Sequence, residues 1–128
     1  MNLMVVGFDH VSILVADLVK ASTFYEGILG LSRLPRPQLG FDGLWLSLGA
    51  GQALHIMVLS NPDATTGRPA HAGRDRHIAL RVQEIETAKQ TLSDAGIAFT
   101  VSQSGRSSIF CRDPDGNGVE LMSIEGHF

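Results

Sequence analysis

The sequence predicts an α+β fold of two βαβββ modules, whose strands form a cupped mixed sheet with helices on its outer face. Three observations predict it. Asp9-His10-Val11-Ser12-Ile13-Leu14-Val15 has a double in Arg76-His77-Ile78-Ala79-Leu80-Arg81-Val82, at an offset of 67 residues (His10 to His77). Gly51-Gln52-Ala53-Leu54-His55-Ile56-Met57 has a second double in Gly116-Asn117-Gly118-Val119-Glu120-Leu121-Met122, at an offset of 65 (His55 to Glu120). Between the doubled segments, each half runs through the same sequence of patterns. A chain that repeats its sequence should repeat its fold.

Residues 8–16 alternate. Val11, Ile13 and Val15 share a face that suits packing on a helix, so His10, Ser12 and Leu14 face the other way. Asp17 is a good N-cap, and Leu18, Ala21, Tyr25, Ile28 and Leu29 follow at helical spacing up to Gly30, which predicts a helix over 17–29. Residues 31–40 carry Pro35, Pro37 and Gly40 and read as an irregular strand and loop. Leu44 to Leu48 and Leu54 to Leu59 read as strands joined by Gly49-Ala50-Gly51, with His55 and Met57 on one face. Residues 60–75 are a polar stretch joining the halves.

The second half repeats the order. A strand spans 76–82, and a helix buries Ile85, Ala88, Leu92 and Ala95 and ends at Gly96. Strands are expected near 97–102, 107–112 and 118–124, with Asp113-Pro114-Asp115-Gly116 as a tight turn. The chain reads as one domain over 1–128, with module one at about 5–60, a linker at about 61–75 and module two at about 76–125.

With 128 residues the chain is long enough for a sizeable core. A net charge of −3 gives no electrostatic case for nucleic acid or an anionic membrane. No apolar run approaches membrane length and no secretory pattern is visible. The one cysteine, Cys111, excludes an intrachain disulfide. A cytoplasmic protein is expected.

His10 and His77 occupy equivalent strands, and so do His55 and Glu120. Glu120 lies in an apolar strand, where an unpaired carboxylate is costly. If the halves pair by a pseudo-two-fold, all four converge in one cleft. Three imidazoles and a carboxylate suit Zn, Fe, Co, Ni or Mn rather than Ca or Mg. By alternation Ser12, Leu14, Met57 and Met122 fall on the ligand-bearing faces, and Trp45 pairs with Phe110 at the offset of 65 (Trp45 to Phe110). These six are candidate pocket residues. Arg33, Arg36 and Arg106 are candidates for an anionic substrate, though solvated surface is the simpler reading. His71 and His127 are expected to be exposed, Tyr25 to face the core, and Cys111 to face the helices, opposite Phe110.

The chain resembles the vicinal oxygen chelate superfamily, which includes glyoxalase I, fosfomycin-resistance proteins, methylmalonyl-CoA epimerase and extradiol dioxygenases. The resemblance lies in Asp9-His10-Val11-Ser12, Val15-Ala16-Asp17-Leu18, Phe24-Tyr25, Leu29-Gly30-Leu31, Arg76-His77-Ile78-Ala79-Leu80, Gly96-Ile97, Phe110 through Asn117, and Val119-Glu120-Leu121. It places the family's ligand positions on His10, His55, His77 and Glu120. It implies one divalent transition metal (Zn, Ni, Co, Fe or Mn) per site, a small substrate chelating through vicinal oxygens, and a homodimer. It implies a glyoxalase-like lyase or isomerase with Glu120 as ligand and general base. The alternatives are an Fe(II) extradiol-type dioxygenase, a thiol transferase of the fosfomycin-resistance type, and a non-catalytic, drug-sequestering dimer. Glyoxalase I-like enzymes commonly carry Glu or Gln where His55 stands, and the fosfomycin enzymes carry Tyr where Phe110 stands.

Overall fold

The computed structural model describes residues 2–124, so His127 lies outside the described residues. Each half builds a four-stranded mixed sheet. Module one holds β1 (His10–Val15), β2 (Arg33–Leu34), β3 (Gly43–Gly49) and β4 (Gln52–Val58) in the order β1-β4-β3-β2. Module two holds β5 (His77–Val82), β6 (Thr100–Val101), β7 (Ser108–Arg112) and β8 (Gly118–Ser123) in the order β5-β8-β7-β6. In each, the first strand runs parallel to the last and the others pair antiparallel.

The repeat extends to the register. Ser12 stands opposite His55 and His55 opposite Trp45, while Ala79 stands opposite Glu120 and Glu120 opposite Phe110. The alternation read from the sequence therefore assigns the faces correctly. Val11, Ile13, Leu44, Leu46, Leu54 and Ile56 pack inward with Ile109, Cys111, Val119 and Leu121. His10, His55, Trp45, His77, Glu120 and Phe110 take the opposite faces. Cys111 is buried among the core residues, and burial pushes its thiol up to about 12, which makes it unreactive.

Asp17 caps α1 (Leu18–Ser22), its carboxylate accepting from Lys20 N at 3.1 Å. From Thr23–Ile28 the helix widens into π-helical turns, with Leu29 N–H donating to Phe24 O at 2.9 Å. The wider turns set both Phe24 and Tyr25 into the core. The second helix, α2 (Ile85–Asp94), buries Leu92, and Gly96 follows it at φ 72.

The two modules are tied by the β7–β8 turn. Tyr25 Oη donates to Asp113 Oδ2 at 2.7 Å, Asn117 Nδ2 donates to Leu14 O at 3.1 Å, and Ala16 N donates to Asp115 Oδ1 at 2.9 Å. Burial raises the Asp113 carboxyl above its ordinary value, although donors from Tyr25, Asn117 and Asp115 reach it. The corresponding turn of module one, Gly49-Ala50-Gly51, is made of positive-φ residues with no polar side chain to offer.

The polar stretch before β5 is well anchored. Arg68 meets Asp75 through two bonds of 2.6 and 2.8 Å, and Arg112 donates to Asp75 Oδ2 at 2.9 Å and to Pro69 O at 2.6 Å. Hydrogen bonds from these arginines hold the Asp75 carboxyl well below the usual carboxylate range. Ala72–Arg74 forms a 3₁₀ turn that packs on β7 and β8.

Candidate metal centre

Module two brings an imidazole and a carboxylate face to face. His77 Nε2 lies 3.2 Å from Glu120 Oε1. The other ring nitrogen, Nδ1, lies 2.8 Å from the carbonyl oxygen of Asp75. A carbonyl can only accept, so Nδ1 carries a proton. In a singly protonated ring, Nε2 would present its lone pair to a carboxylate oxygen, which is also an acceptor. Two acceptors at hydrogen-bond distance need a cation between them, either a proton or a metal ion. Glu120 is otherwise in apolar company, flanked by Ala79 and Phe110, with a side chain only 9% exposed.

His10 is oriented in the same way. Its Nδ1 lies 2.7 Å from Asp9 Oδ2, which leaves Nε2 as the ligand-type nitrogen. Histidines that bind metals usually donate their second N–H to a carboxylate or a carbonyl, and Asp9 and Asp75 supply one of each. The equivalence of His10 and His77 thus includes ring orientation as well as position in the strand.

His55 differs. Its ring is sandwiched, stacked on His10 at 4.0 Å and 16° and on Trp45 at 4.2 Å and 6°. Burial above all, with His10 and Arg36 nearby, lowers its pKa below the ordinary imidazole value. Two rings stacked face to face do not aim their nitrogens at one point between them. Among the described residues, no three His, Cys, Asp or Glu side chains gather as a metal-binding group. The structure therefore brings the four sequence candidates together as two pairs, His10 with His55 and His77 with Glu120.

The pocket candidates follow the same division. Ser12, Leu14, Trp45 and Met57 lie on the face of His10 and His55, and Phe110 and Met122 lie on the face of Glu120. Phe110 meets the His77 ring edge-on at 5.1 Å. A cavity of about 280 Å³ opens between the edge strands β1 and β5, lined by Ser12, Leu14, Tyr25, His77 and Asn117 among others.

The expectation that His71 is an exposed loop residue is corrected. It is half-buried, edge-on to Phe110 at 4.9 Å, and its Nδ1 lies 2.8 Å from Thr100 Oγ1. Gly73 permits this arrangement, because a Cβ there would stand 3.0 Å from both rings. No periodic pattern marks a histidine in a polar loop, so alternation could not have found it. The three candidate arginines also separate. Arg33 pairs with Glu26, and Arg36 donates to Phe41 O and lies over the Phe41 ring. Arg106 reaches the site face, where Nη2 contacts Met122 Sδ at 2.9 Å.

A model of the Glyoxalase/Bleomycin resistance protein/Dioxygenase superfamily matches residues 7–121. The chain belongs to this superfamily. It is 28% identical over 123 residues to Glyoxylase I 4 of Arabidopsis thaliana, covering 91% of this chain and 70% of that protein. It is 30% identical over 127 residues to the human mitochondrial methylmalonyl-CoA epimerase, covering 91% and 72%. Among solved structures, a putative glyoxalase family protein from Bacillus anthracis superposes with a TM-score of 0.74 at 28% identity, covering 96% of this chain and 98% of that one. These matches establish the two-module βαβββ fold and a superfamily that includes enzymes. Among the described residues, no helix is long and apolar enough to cross a membrane.

Proposed function

We propose that the protein is a divalent-metal-dependent enzyme of the glyoxalase-like lyase and isomerase type, acting on a small substrate that chelates through vicinal oxygens. The observation that carries this reading is the imidazole nitrogen His77 Nε2 facing the carboxylate oxygen Glu120 Oε1, 3.2 Å apart. Nitrogen and carboxylate oxygen donors of this kind fit Zn, Ni, Co, Fe or Mn. His77 and Glu120 would hold the ion together with His10, through its Nε2, and with His55 once its ring leaves the stack on His10. An ion of this class takes four or more ligands, and one described chain gathers no three. A homodimer in which a second copy contributes His10 and His55 to the His77–Glu120 pair would complete the set.

When bound, the ion would supply Lewis acidity to the paired oxygens and make the adjacent C–H more acidic. Glu120 is the residue suited to moving that proton. Its carboxylate would take the proton from the carbon beside one oxygen and return it, on the same face, to the neighbouring carbon. Asp75 and Asp9 would hold the rings of His77 and His10 in their ligating orientation. Phe110 and Trp45, with Ser12, Leu14, Met57 and Met122, would line the pocket and exclude water. A reducing cytoplasm suits a protein whose single cysteine is a buried free thiol.

The test is a panel of α-hydroxycarbonyl and α-acyl thioester substrates in deuterated water, with the protein loaded with each metal in turn. This reading predicts deuterium at the α-carbon, lost in Glu120→Gln. Oxygen consumption with iron alone and no exchange with any metal would replace it with the dioxygenase reading. Absence of both across the panel, with tight binding of a hydrophobic ligand by metal-free protein, would support the sequestering one.

A further inference from the structure

His71 is the residue on the site face of module two that the proposed chemistry leaves unused. Cross-strand partners share a face of the sheet, so Thr100, Phe110, Glu120 and Ala79 form one row across β6, β7, β8 and β5. The His71 ring lies on this row, edge-on to Phe110 at 4.9 Å and with Nδ1 2.8 Å from Thr100 Oγ1. The backbone N–H of Gly73 also donates to Nδ1, at 3.4 Å. An N–H can only donate, so Nδ1 is the acceptor and the proton of the neutral ring sits on Nε2. Among the described residues, no group hydrogen-bonds Nε2. The buried side-chain nitrogens and oxygens without a partner there are Arg36 Nε and Ser108 Oγ, so Nε2 is open to solvent. The fold does not require this arrangement. Module one builds the same strand order with exposed Leu3, Met4, Val5 and Val6 before its first strand and no histidine in that segment.

We propose that His71 is a specificity residue that donates its Nε2 hydrogen to an uncharged carbonyl oxygen of the substrate, in the part that lies over Phe110. Two strand spacings, about 10 Å, separate Thr100 from Glu120, so this carbonyl stands beyond the chelated oxygens. Thr100 and Gly73 already hold the ring, so little side-chain freedom remains to be lost on binding. A neutral N–H donor beside an aromatic ring favours a planar acyl group over a plain alkyl chain, which would cover the donor and leave it without a partner. The contact rests on the metal-dependent reading above, because chelation at His77 and Glu120 fixes the other end of the substrate. It narrows the substrate to a molecule with a vicinal oxygen pair at one end and an acyl carbonyl further along.

Straight-chain hydroxamates test it: an all-methylene parent and isomers carrying one ketone at successive positions along the chain. Binding is measured by calorimetry on metal-loaded and metal-free protein, for wild type and for His71→Phe, which keeps a ring against Phe110 and removes the donor. One ketone isomer should bind metal-loaded wild type about fivefold more tightly than the parent. His71→Phe should bring that preference within about twofold and leave parent affinity unchanged, a sign that fold and metal are intact. In wild type the Nε2 nitrogen resonance of His71 should move when that isomer binds and stay in place with the parent, which tests the contact without a variant. Equal binding of parent and isomers to wild type, a ketone preference that survives in His71→Phe, or an unmoved Nε2 resonance overturns the contact. A ketone preference that is the same with and without metal supports the contact and contradicts the metal reading. Metal-dependent binding of the parent with no ketone preference overturns the contact alone. No binding of any probe overturns both.

Discussion

The half-sites of the two modules share one backbone frame and differ in what surrounds it. In module two the segment before β5 is anchored through Asp75 by Arg68 and Arg112, and it packs against Phe110. The Asp75 carbonyl at the end of that segment meets His77 Nδ1. Among the described residues, the segment before β1 in module one makes no such contact. Leu3, Val5 and Val6 in it are more than 90% exposed, and the His10 side chain is 40% exposed. There the rings of His10, His55 and Trp45 stack on one another. This contrast is compatible with the proposal that a second copy of the chain completes the centre.

The sharpest break of this comparison is complementation. His10→Ala and Glu120→Ala should each lower metal affinity by about 100-fold or more, since under the proposed function each removes a ligand rather than an outer contact. If a site takes His10 from one chain and Glu120 from another, unfolding and refolding the two variants together should restore roughly a quarter of the sites. Metal titration of the mixture measures this, and no recovery would confine the site to one chain.

The turns offer the next contrast. Asp113→Ala orphans the buried Tyr25 hydroxyl and should cost about 3 kcal/mol in denaturant unfolding. A loss of under about 0.5 kcal/mol would show that the clamp does not join the modules. The clamp should also be visible in pH. Burial and the neighbouring Asp113 hold the Tyr25 phenol well above its ordinary value. A folded pKa raised in this way gives stability that is full below the unfolded value of about 10 and is lost as pH rises beyond it. Tyr25 is the only tyrosine, so phenolate absorbance should appear only together with unfolding. A smooth titration near pH 10 in folded protein would contradict the buried hydrogen bond. The smallest effect belongs to module one. Ala50 holds φ 52, so Ala50→Gly should raise stability by about 0.5 kcal/mol.

The parts legible in the sequence depend on local geometry. A strand's pleat fixes which side chains share a face, so Ser12, His55, Trp45, Phe110 and Glu120 could be assigned to site faces, and the doubled segments aligned Ser12 with Ala79 and His55 with Glu120. The π-helical turns were not legible, because Phe24 and Tyr25 fit an α-helical stripe nearly as well. Ring orientation was not legible either. The stacking of His55 depends on where Trp45 and His10 place their rings, and His71 reaches Phe110 only because Gly73 leaves room. Asp75 fell within a polar stretch, and its meeting with Arg68 and Arg112 depends on how that stretch folds back over β7.

The proposed function needs a transition-metal ion that His77 and Glu120 would help to hold. Elemental analysis of protein purified without chelator, wild type beside His77→Ala, tests it most directly. Stoichiometric transition metal is expected in the wild type and almost none in the variant at equal folded content. Equal metal in both, or none in either after saturation with zinc, nickel, cobalt, iron and manganese, would contradict it.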